Sequence, residues 1–194
     1  MPIPAEILLI NSEYLKKVTQ VNGAVDDNFI RPCIILAQDK YVQSYIGADL
    51  MDKMKDDVNN WAGSYLTLYN NYLVKVIAWW TMVELIPKLT YKHNNGTLGQ
   101  YTSEDFDPIT DDVMKDEIHR AKQNAEYYTQ LMIEYLCDNS ALFPEYTTVV
   151  NGKRPPRVSP YVGTSFLFND SYPNRLFRRT LNRQFPDEYD YRNY

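Results

Sequence analysis

The sequence predicts a mainly α-helical protein: a small helical bundle with two long antiparallel helices and an extended C-terminal arm that carries two short candidate strands. Apolar residues recur at three- and four-residue steps over two long stretches, which indicates helices. A glycine-punctuated connection between these stretches predicts that the two helices pack antiparallel. Prolines and arginines replace the helical pattern after residue 146. We therefore expect a helical domain over residues 1–146 and an arm over residues 147–194.

Three shorter helices are predicted before the long ones. Asn11 or Ser12 can cap the first helix, because a side-chain oxygen there can accept a free backbone N–H. The acidic pair at 26–27 suits the positive end of the second helix. Gly47 should end that helix, since glycine adopts the left-handed conformation readily. The third short helix is predicted over residues 48–57.

The first long helix is predicted from residue 64 to about residue 91. Ser64 can cap its first turn through the hydroxyl group. Pro87 should kink or stop the helix, because proline lacks an N–H and clashes with the preceding turn. Trp79 and Met82 lie outside the main apolar stripe, so we expect this helix to have neighbours on more than one side.

The second long helix is predicted from Asp107 and Pro108 to about residue 138. An aspartate at the N-cap followed by proline at the first helical position is typical of a helix start. Asn139 should end the helix. The polar segment over residues 92–107 is predicted to be a loop, and its length indicates either a functional or a disordered segment.

The arm differs from the helical body in charge. Residues 147–194 contain eight Lys/Arg and four Asp/Glu, a net charge of +4, so residues 1–146 carry −9 of the total of −5. Short strands are predicted over residues 147–150 and 164–168. In segment 174–185, apolar residues recur at four-residue steps among arginines, which predicts a short amphipathic helix. Such a helix is only marginally stable alone, so its apolar edge requires a partner.

Two kinds of partner fit the arm. Its interleaved arginine and aromatic side chains could bind a nucleic acid. Alternatively, the arginines could pair with acidic groups of a protein while leucine and phenylalanine side chains fill a groove. The acidic body favours protein, because phosphate binding needs clustered basic groups. The candidate interface residues are Arg154, Arg157, Tyr161, Phe166, Phe168, Arg175, Leu176, Phe177, Arg178, Arg179, Leu181, Arg183 and Phe185.

Motifs typical of catalysis or of metal and cofactor binding do not occur in the sequence. There is no HExxH, CxxC, P-loop, GxGxxG or GxSxG pattern. His93 and His119 stand alone and favour surface roles, and the runs of acidic residues are typical of solvated helix faces rather than of a two-metal site. We therefore predict no enzymatic activity, no metal and no cofactor. A hydrolase with a site in segment 92–107 remains as a third hypothesis.

Cys33 and Cys137 are far apart in sequence and lie in helical patterns, so we expect two buried, reduced thiols. The N-terminal residues lack the basic region of a signal peptide. No apolar run approaches the roughly 18 residues that span a membrane. The sequence thus predicts a soluble protein that is intracellular when made.

Three stretches carry a resemblance to a known family. They are NSEYLKKVTQVNGAVDDNFIRPCIILAQDKYVQSYIGADLMDKM, KHNNGTLGQYTSEDFDP and RAKQNAEYYTQLMIEYLCDNSALFPEY. Together with the Trp-rich helix, and over residues of about 11–146, the chain resembles the head–tail connector (adaptor or head-completion) proteins of tailed bacteriophages. It is similar to those of crAss-like and other Bacteroidetes phages.

This resemblance implies a structural virion protein of the head–tail neck, made in the host cytoplasm. It implies a closed ring, usually twelve-fold, that lies beneath the portal protein and contacts tail or neck proteins below. Genomic DNA would pass through the lumen without specific binding, and an acidic body suits that role because like charges repel the phosphates. We expect the arm to contact the portal or neighbouring subunits. The alternative is a small nucleic-acid-binding regulator that uses the basic tail.

Overall fold

The computed structural model describes residues 6–21, 23–58, 60–94, 97–100, 110–148 and 153–157, and for 90–94 and 97–100 it describes the backbone alone. All of these residues lie within one compact unit that covers residues 1–160. The predicted mainly helical fold is confirmed for this part of the chain.

The first half of the body contains four helices. They are α1 (Ser12–Val18), α2 (Asp27–Leu36), α3 (Gln43–Ile46) and α4 (Ala48–Asp56). A π-helical segment, Ala37–Val42, joins α2 to α3.

The second half contains the two long helices. In chain order its elements are α5 (Gly63–Leu68), a π-helical segment (Tyr69–Leu73), α6 (Val74–Thr90), α7 (Asp111–Asp138), a 3-10 turn (Ser140–Leu142) and α8 (Pro144–Thr147).

Local capping fixes the starts of the first two helices as predicted. The side chain of Asn11 accepts the backbone N–H of Tyr14 at 2.8 Å, so Asn11 is the N-cap of α1 and Ser12 is its first residue. Asp26 caps α2 by accepting the N–H of Asn28 at 2.9 Å. Each carboxylate or amide oxygen satisfies a backbone donor that has no partner within the helix.

The first predicted long helix is helical from Gly63 to Thr90, but two details of the prediction are wrong. Ala62 is the N-cap and makes no side-chain hydrogen bond, so Ser64 does not cap the helix. The helix also continues past Pro87, so the predicted stop at this residue is wrong. It ends at Thr90, within one turn of the proline.

The second long helix, α7, begins later than predicted. Thr110 is its N-cap, in an extended conformation, and Asp111 and Asp112 occupy the first turn. The predicted start at residues 107–108 is therefore wrong, and the two later acidic residues meet the positive end of the helix dipole. The predicted end is confirmed, because the N–H of Asn139 caps the last turn.

The two long helices pack antiparallel, as predicted. Tyr72 stacks on Tyr135 with ring centroids 4.6 Å apart. Further along, the indole N–H of Trp80 donates to the hydroxyl of Thr129 at 3.0 Å. Residue numbers rise on one helix as they fall on the other, which defines the antiparallel arrangement.

The core lies between α2, α4, α6 and α7. Burial of each large apolar side chain stabilises the fold by roughly 1.5–3 kcal/mol. The largest fully buried side chains are Leu15, Ile30, Ile34, Ile46, Leu50, Met51, Met54, Leu68, Leu73, Ile77, Leu85 and Phe143.

A β-hairpin replaces part of the predicted loop over residues 92–107. Strand β1 (Tyr91–Asn94) pairs antiparallel with β2 (Thr97–Gln100), with Asn94 opposite Thr97. The two residues between the strands are Asn95 and Gly96, the dipeptide that favours a two-residue hairpin turn.

The predicted strand over residues 147–150 is wrong at its first residue, because Thr147 ends α8. Residues 149–150 and the second predicted strand, 164–168, lie outside the described residues.

Candidate interaction surface

An extended segment, residues 153–157, lies on the junction of α3 and α4. The carbonyl of Arg154 accepts the N–H of Ala48 at 3.1 Å, and the N–H of Arg157 donates to the carbonyl of Ser44 at 2.9 Å. These two hydrogen bonds attach the backbone on both sides of a Pro–Pro pair that has no N–H to donate. The first described residues beyond the helices are thus held by the body itself.

Gly47 shapes the turn that receives this segment. Its φ of +84° and ψ of 163° belong to a region that is essentially restricted to glycine. A Cβ at this position would lie 3.2 Å from Cδ and 3.3 Å from N of Pro156. Glycine is needed both for the backbone conformation and for the close approach of the segment.

Lys153 connects the segment to the exposed face of α4. Its ammonium lies 2.8 Å from Oδ1 of Asp49 and 2.9 Å from Oδ2 of Asp52. These aspartates are three residues apart, so they share one face of the helix. The hydrogen bonds that its ammonium donates to both carboxylates raise the pKa of Lys153 above its usual value. Because Lys153 and Asp52 are about half exposed, these ion pairs specify position more than they add stability.

An acidic groove lies beside this contact, between α4 and α8. It has a volume of about 460 Å³ and contains four carboxylates and one amine. We call it the α4–α8 groove. Its lining residues are Asp49, Asp52, Lys53, Asp56, Pro144, Glu145 and Thr148.

The carboxylate on the α8 side of this groove has a fixed position. Oε2 of Glu145 accepts the hydroxyl hydrogen of Tyr65 at 2.6 Å. The Tyr65 ring packs edge-on against the fully buried Phe143 at 5.2 Å. Burial, and then the bond to Glu145, raise the pKa of Tyr65, so its hydroxyl remains protonated and continues to donate. The negative charge of Glu145 is therefore held in one place.

Comparison with known proteins identifies a family for this chain. Residues 18–156 match the model of a family of unknown function, DUF6712. The chain belongs to this family. The matched region extends beyond α8 and includes most of segment 153–157. No curated protein and no solved structure matches the chain.

The structure describes two of the predicted interface residues, Arg154 and Arg157. Both side chains are exposed although their backbones are bound to α3 and α4. Burial raises the pKa of Tyr45 to about 12, while the charge of Arg157 acts in the opposite direction, which places Arg157 near this ring. The predicted interface residues outside the described part are Tyr161, Phe166, Phe168, Arg175, Leu176, Phe177, Arg178, Arg179, Leu181, Arg183 and Phe185.

The α4–α8 groove is a feature that the sequence reasoning missed. The spacing of Asp49, Asp52 and Asp56 already placed three carboxylates on one helical face. In the sequence, the acidic run at 56–57 is typical of a solvated helix face, and no local pattern links it to the residues of α8. The groove exists because the fold brings Glu145 to the same place.

A second polar cluster joins the π-helical segment Ala37–Val42 to α6. Oε1 of Glu84 accepts from the Tyr41 hydroxyl at 2.6 Å and from the Lys40 ammonium at 2.7 Å. The hydrogen bond to Glu84 raises the pKa of Lys40 to about 12, and burial raises that of Tyr41. Burial acts to raise the pKa of Glu84, but the two hydrogen bonds hold it below its usual value. A general base of this type needs a raised carboxyl pKa, and a lysine or tyrosine nucleophile needs a lowered pKa. The pKa shifts of Glu84, Lys40 and Tyr41 have the opposite directions.

The cysteines are both free, as predicted, and Cys33 is buried. Cys137 is only half-buried, so the prediction of a buried thiol is wrong there. Burial raises the pKa of each thiol, which disfavours the reactive thiolate. His119 lies exposed on α7, 3.0 Å from the amide of Gln123, in agreement with a surface role. Within the described ranges, no three His, Cys, Asp or Glu residues form a group that could hold a metal. No helix in those ranges has both the length and the apolar character required to cross a bilayer.

Proposed function

We propose that this protein is a structural virion component of a tailed bacteriophage. It forms a ring beneath the portal, joins the capsid to the tail and extends the DNA channel. Its C-terminal arm contacts the portal or the neighbouring subunits, and tail or neck proteins bind below. The observation that carries this proposal is the attachment of segment 153–157 to α3 and α4, next to an acidic groove.

This attachment gives the arm a defined starting point on the body. The backbone bonds of Arg154 and Arg157 and the ion pairs of Lys153 fix the chain at three successive places. Residues 158–194 follow, and an extended chain of 37 residues spans up to roughly 120 Å. A link anchored at one end and this long can reach an adjacent subunit.

The charge of the body supports a channel that conducts DNA without gripping it. Residues 1–146 carry a net charge of −9. In the described region, α7 begins with the exposed pair Asp111 and Asp112 and continues with exposed Asp116. Acidic surfaces repel phosphates, whereas specific DNA binding requires clusters of Lys and Arg.

Co-sedimentation with the cognate portal protein tests the proposal. The 194-residue chain is expected to sediment with the portal, and a chain that ends at residue 157 is expected to lose at least about tenfold in capture, because it keeps the attached segment but lacks the rest of the arm. Arg192→Ala, outside the amphipathic segment 174–185, is the matched control. Equal capture of the 194-residue and shortened chains would contradict the role of the arm, and no capture of either would contradict the role of the protein.

The net charge of +4 on residues 147–194 favours a second candidate, a small nucleic-acid-binding regulator. A gel-shift titration with duplex DNA and single-stranded RNA at two salt concentrations separates the two functions. Genuine phosphate contacts produce a steep loss of affinity as the salt concentration rises. A connector is expected to bind weakly at both concentrations.

A further inference from the structure

The α4–α8 groove already binds one cation from the C-terminal part of the chain. Lys153, about one hundred residues from α4 in sequence, bridges Asp49 and Asp52 at one end of the groove. The same contact occurs beside backbone hydrogen bonds that hold the segment in place. One basic group of this chain therefore already pairs with two carboxylates of the groove.

The remaining carboxylates of the groove leave room for more positive charge. Asp56 lies one helical turn beyond Asp52 and is exposed, and within the described part of the chain no Lys or Arg pairs with it. Glu145 faces the groove from α8 and bonds to an uncharged hydroxyl.

One segment of the chain has the matching chemistry. Within 174–185, Arg175, Arg179 and Arg183 recur at four-residue steps, and Arg178 lies beside them. In the predicted helical form, this spacing places three guanidinium groups along one face at intervals of about 6 Å. The carboxylates of α4 recur at steps of three and four residues, so the two series have nearly the same period. Arginine can bind carboxylates through two parallel hydrogen bonds.

An apolar contact is available next to the groove. Leu142, two residues before the lining residue Pro144, is half exposed. In the predicted helical form of segment 174–185, Leu176 lies three residues before Arg179 and shares the face of the arginines, whereas Phe177 and Leu181 lie on the opposite face. A helix that presents arginines with a leucine at their side fits a surface with an exposed leucine beside acidic groups.

We propose that the α4–α8 groove binds segment 174–185 of a second copy of this chain. The inference rests on the proposed function, in which the arm joins neighbouring subunits, and identifies the surface that receives it. A segment that leaves one copy and enters the groove of the next makes a head-to-tail contact, and contacts of this type close into rings. Each groove then holds Lys153 of its own chain and the arginines of its neighbour.

A charge-exchange experiment on the 194-residue chain tests this assignment. Sedimentation velocity measures the association constant of the wild type, of Asp56→Lys, of Arg179→Glu, and of the protein with both substitutions. Each single substitution is expected to weaken association by about tenfold or more, because one charge-assisted hydrogen bond becomes a repulsion. The combined substitution is expected to recover most of this loss. Asp116→Lys, an exposed acidic residue on α7, is the matched control and should associate like the wild type.

Disulfide trapping tells binding to a second copy from binding within one chain. Asp56→Cys and Arg179→Cys are made as separate proteins, mixed and oxidised, and the joined peptides are identified by mass spectrometry. A mixed disulfide between the two proteins is expected. A disulfide that forms only when both substitutions are in one chain would overturn the proposal.

The outcomes separate this inference from the proposed function. If a chain that ends at residue 157 loses association while Asp56→Lys associates normally, the arm keeps its role and the groove is not its receptor. If the shortened chain associates like the wild type, the role of the arm in joining subunits fails as well.

Discussion

The α6–α7 helix pair and the α4–α8 groove represent two kinds of contact in one small body. The helix pair is held by buried aromatic and aliphatic side chains, such as Trp80 and Ile77. The groove is bordered by carboxylates that range from half-buried to exposed and by a lysine that belongs to the C-terminal segment. Buried apolar area dominates folding free energy, whereas exposed ion pairs contribute little and mainly set position. The comparison indicates that one region maintains the fold and that the other is suited to attachment.

The largest loss of stability is expected in the helix pair, from Trp80→Ala. Trp80 is buried, stacks on Tyr41 at 4.0 Å and donates to Thr129. Its removal leaves a cavity and takes away the hydrogen bond that the Thr129 hydroxyl accepts, although this hydroxyl still donates to the Ala125 carbonyl. The substitution should lower the free energy of unfolding by about 3–5 kcal/mol. Urea denaturation measures this change. Tyr127→Ala, at an exposed position on α7, is the control and should change stability by less than about 0.5 kcal/mol.

A smaller loss is expected where the groove region meets the fold, from Gly47→Ala. The substitution forces a Cβ into a backbone region that favours glycine and toward Pro156. Strain of this type costs about 1–3 kcal/mol. Thermal denaturation measures it, and faster exchange of the Ala48 amide hydrogen would show release of segment 153–157. Gly23→Ala is the matched control, because nothing lies within 4 Å of the added Cβ. Equal effects at both glycines would contradict the packing described here.

The polar cluster on α6 should make stability depend on pH in acid. Burial acts to raise the pKa of Glu84, but hydrogen bonds from Lys40 and Tyr41 hold it below its usual value of 4.5. A carboxylate with a lowered pKa stabilises the fold above its unfolded pKa and loses that contribution as the pH falls through the folded pKa. Because the cluster is partly exposed, the change should be below about 1 kcal/mol. Glu84→Gln should flatten the stability curve below pH 4.5, and a curve as steep as that of the wild type would contradict this account.

The smallest effect on folding is expected from Lys153→Met, in the groove. The lysine is exposed, so the midpoint of thermal unfolding should remain that of the wild type. Hydrogen exchange at Ala48 should nevertheless become faster, since the ion pairs position the segment that bonds to it. If Lys153→Met lowered stability as much as Gly47→Ala does, the conclusion that the groove contact sets position rather than stability would be contradicted.

Local signals made much of the helical architecture predictable. The caps Asn11 and Asp26 act within one turn, and Gly47 and Asn139 end helices through their own backbone conformations. The antiparallel pairing of the long helices also followed from the sequence, because a single glycine-punctuated connection joins the two long apolar patterns. Such features depend on residues that are close together in the chain.

Other features were not predictable from the sequence, because competing local patterns or contacts between residues far apart in the chain determine them. The hairpin over residues 91–100 was missed because polar composition was given more weight than the Asn95-Gly96 turn signal. Hydrophobic periodicity does not distinguish a π-helical segment from an α-helix, so the segments at 37–42 and 69–73 were not anticipated. The groove requires α4 and α8, whose residues are about ninety positions apart, and only tertiary structure brings them together.

Negative-stain images of the 194-residue chain mixed with its cognate portal protein test the central claim most directly. The account predicts closed rings seated on one face of the portal, and predicts that a chain ending at residue 157 forms none. Single particles of monomer size beside bare portals, from the 194-residue chain at micromolar concentration, would contradict it.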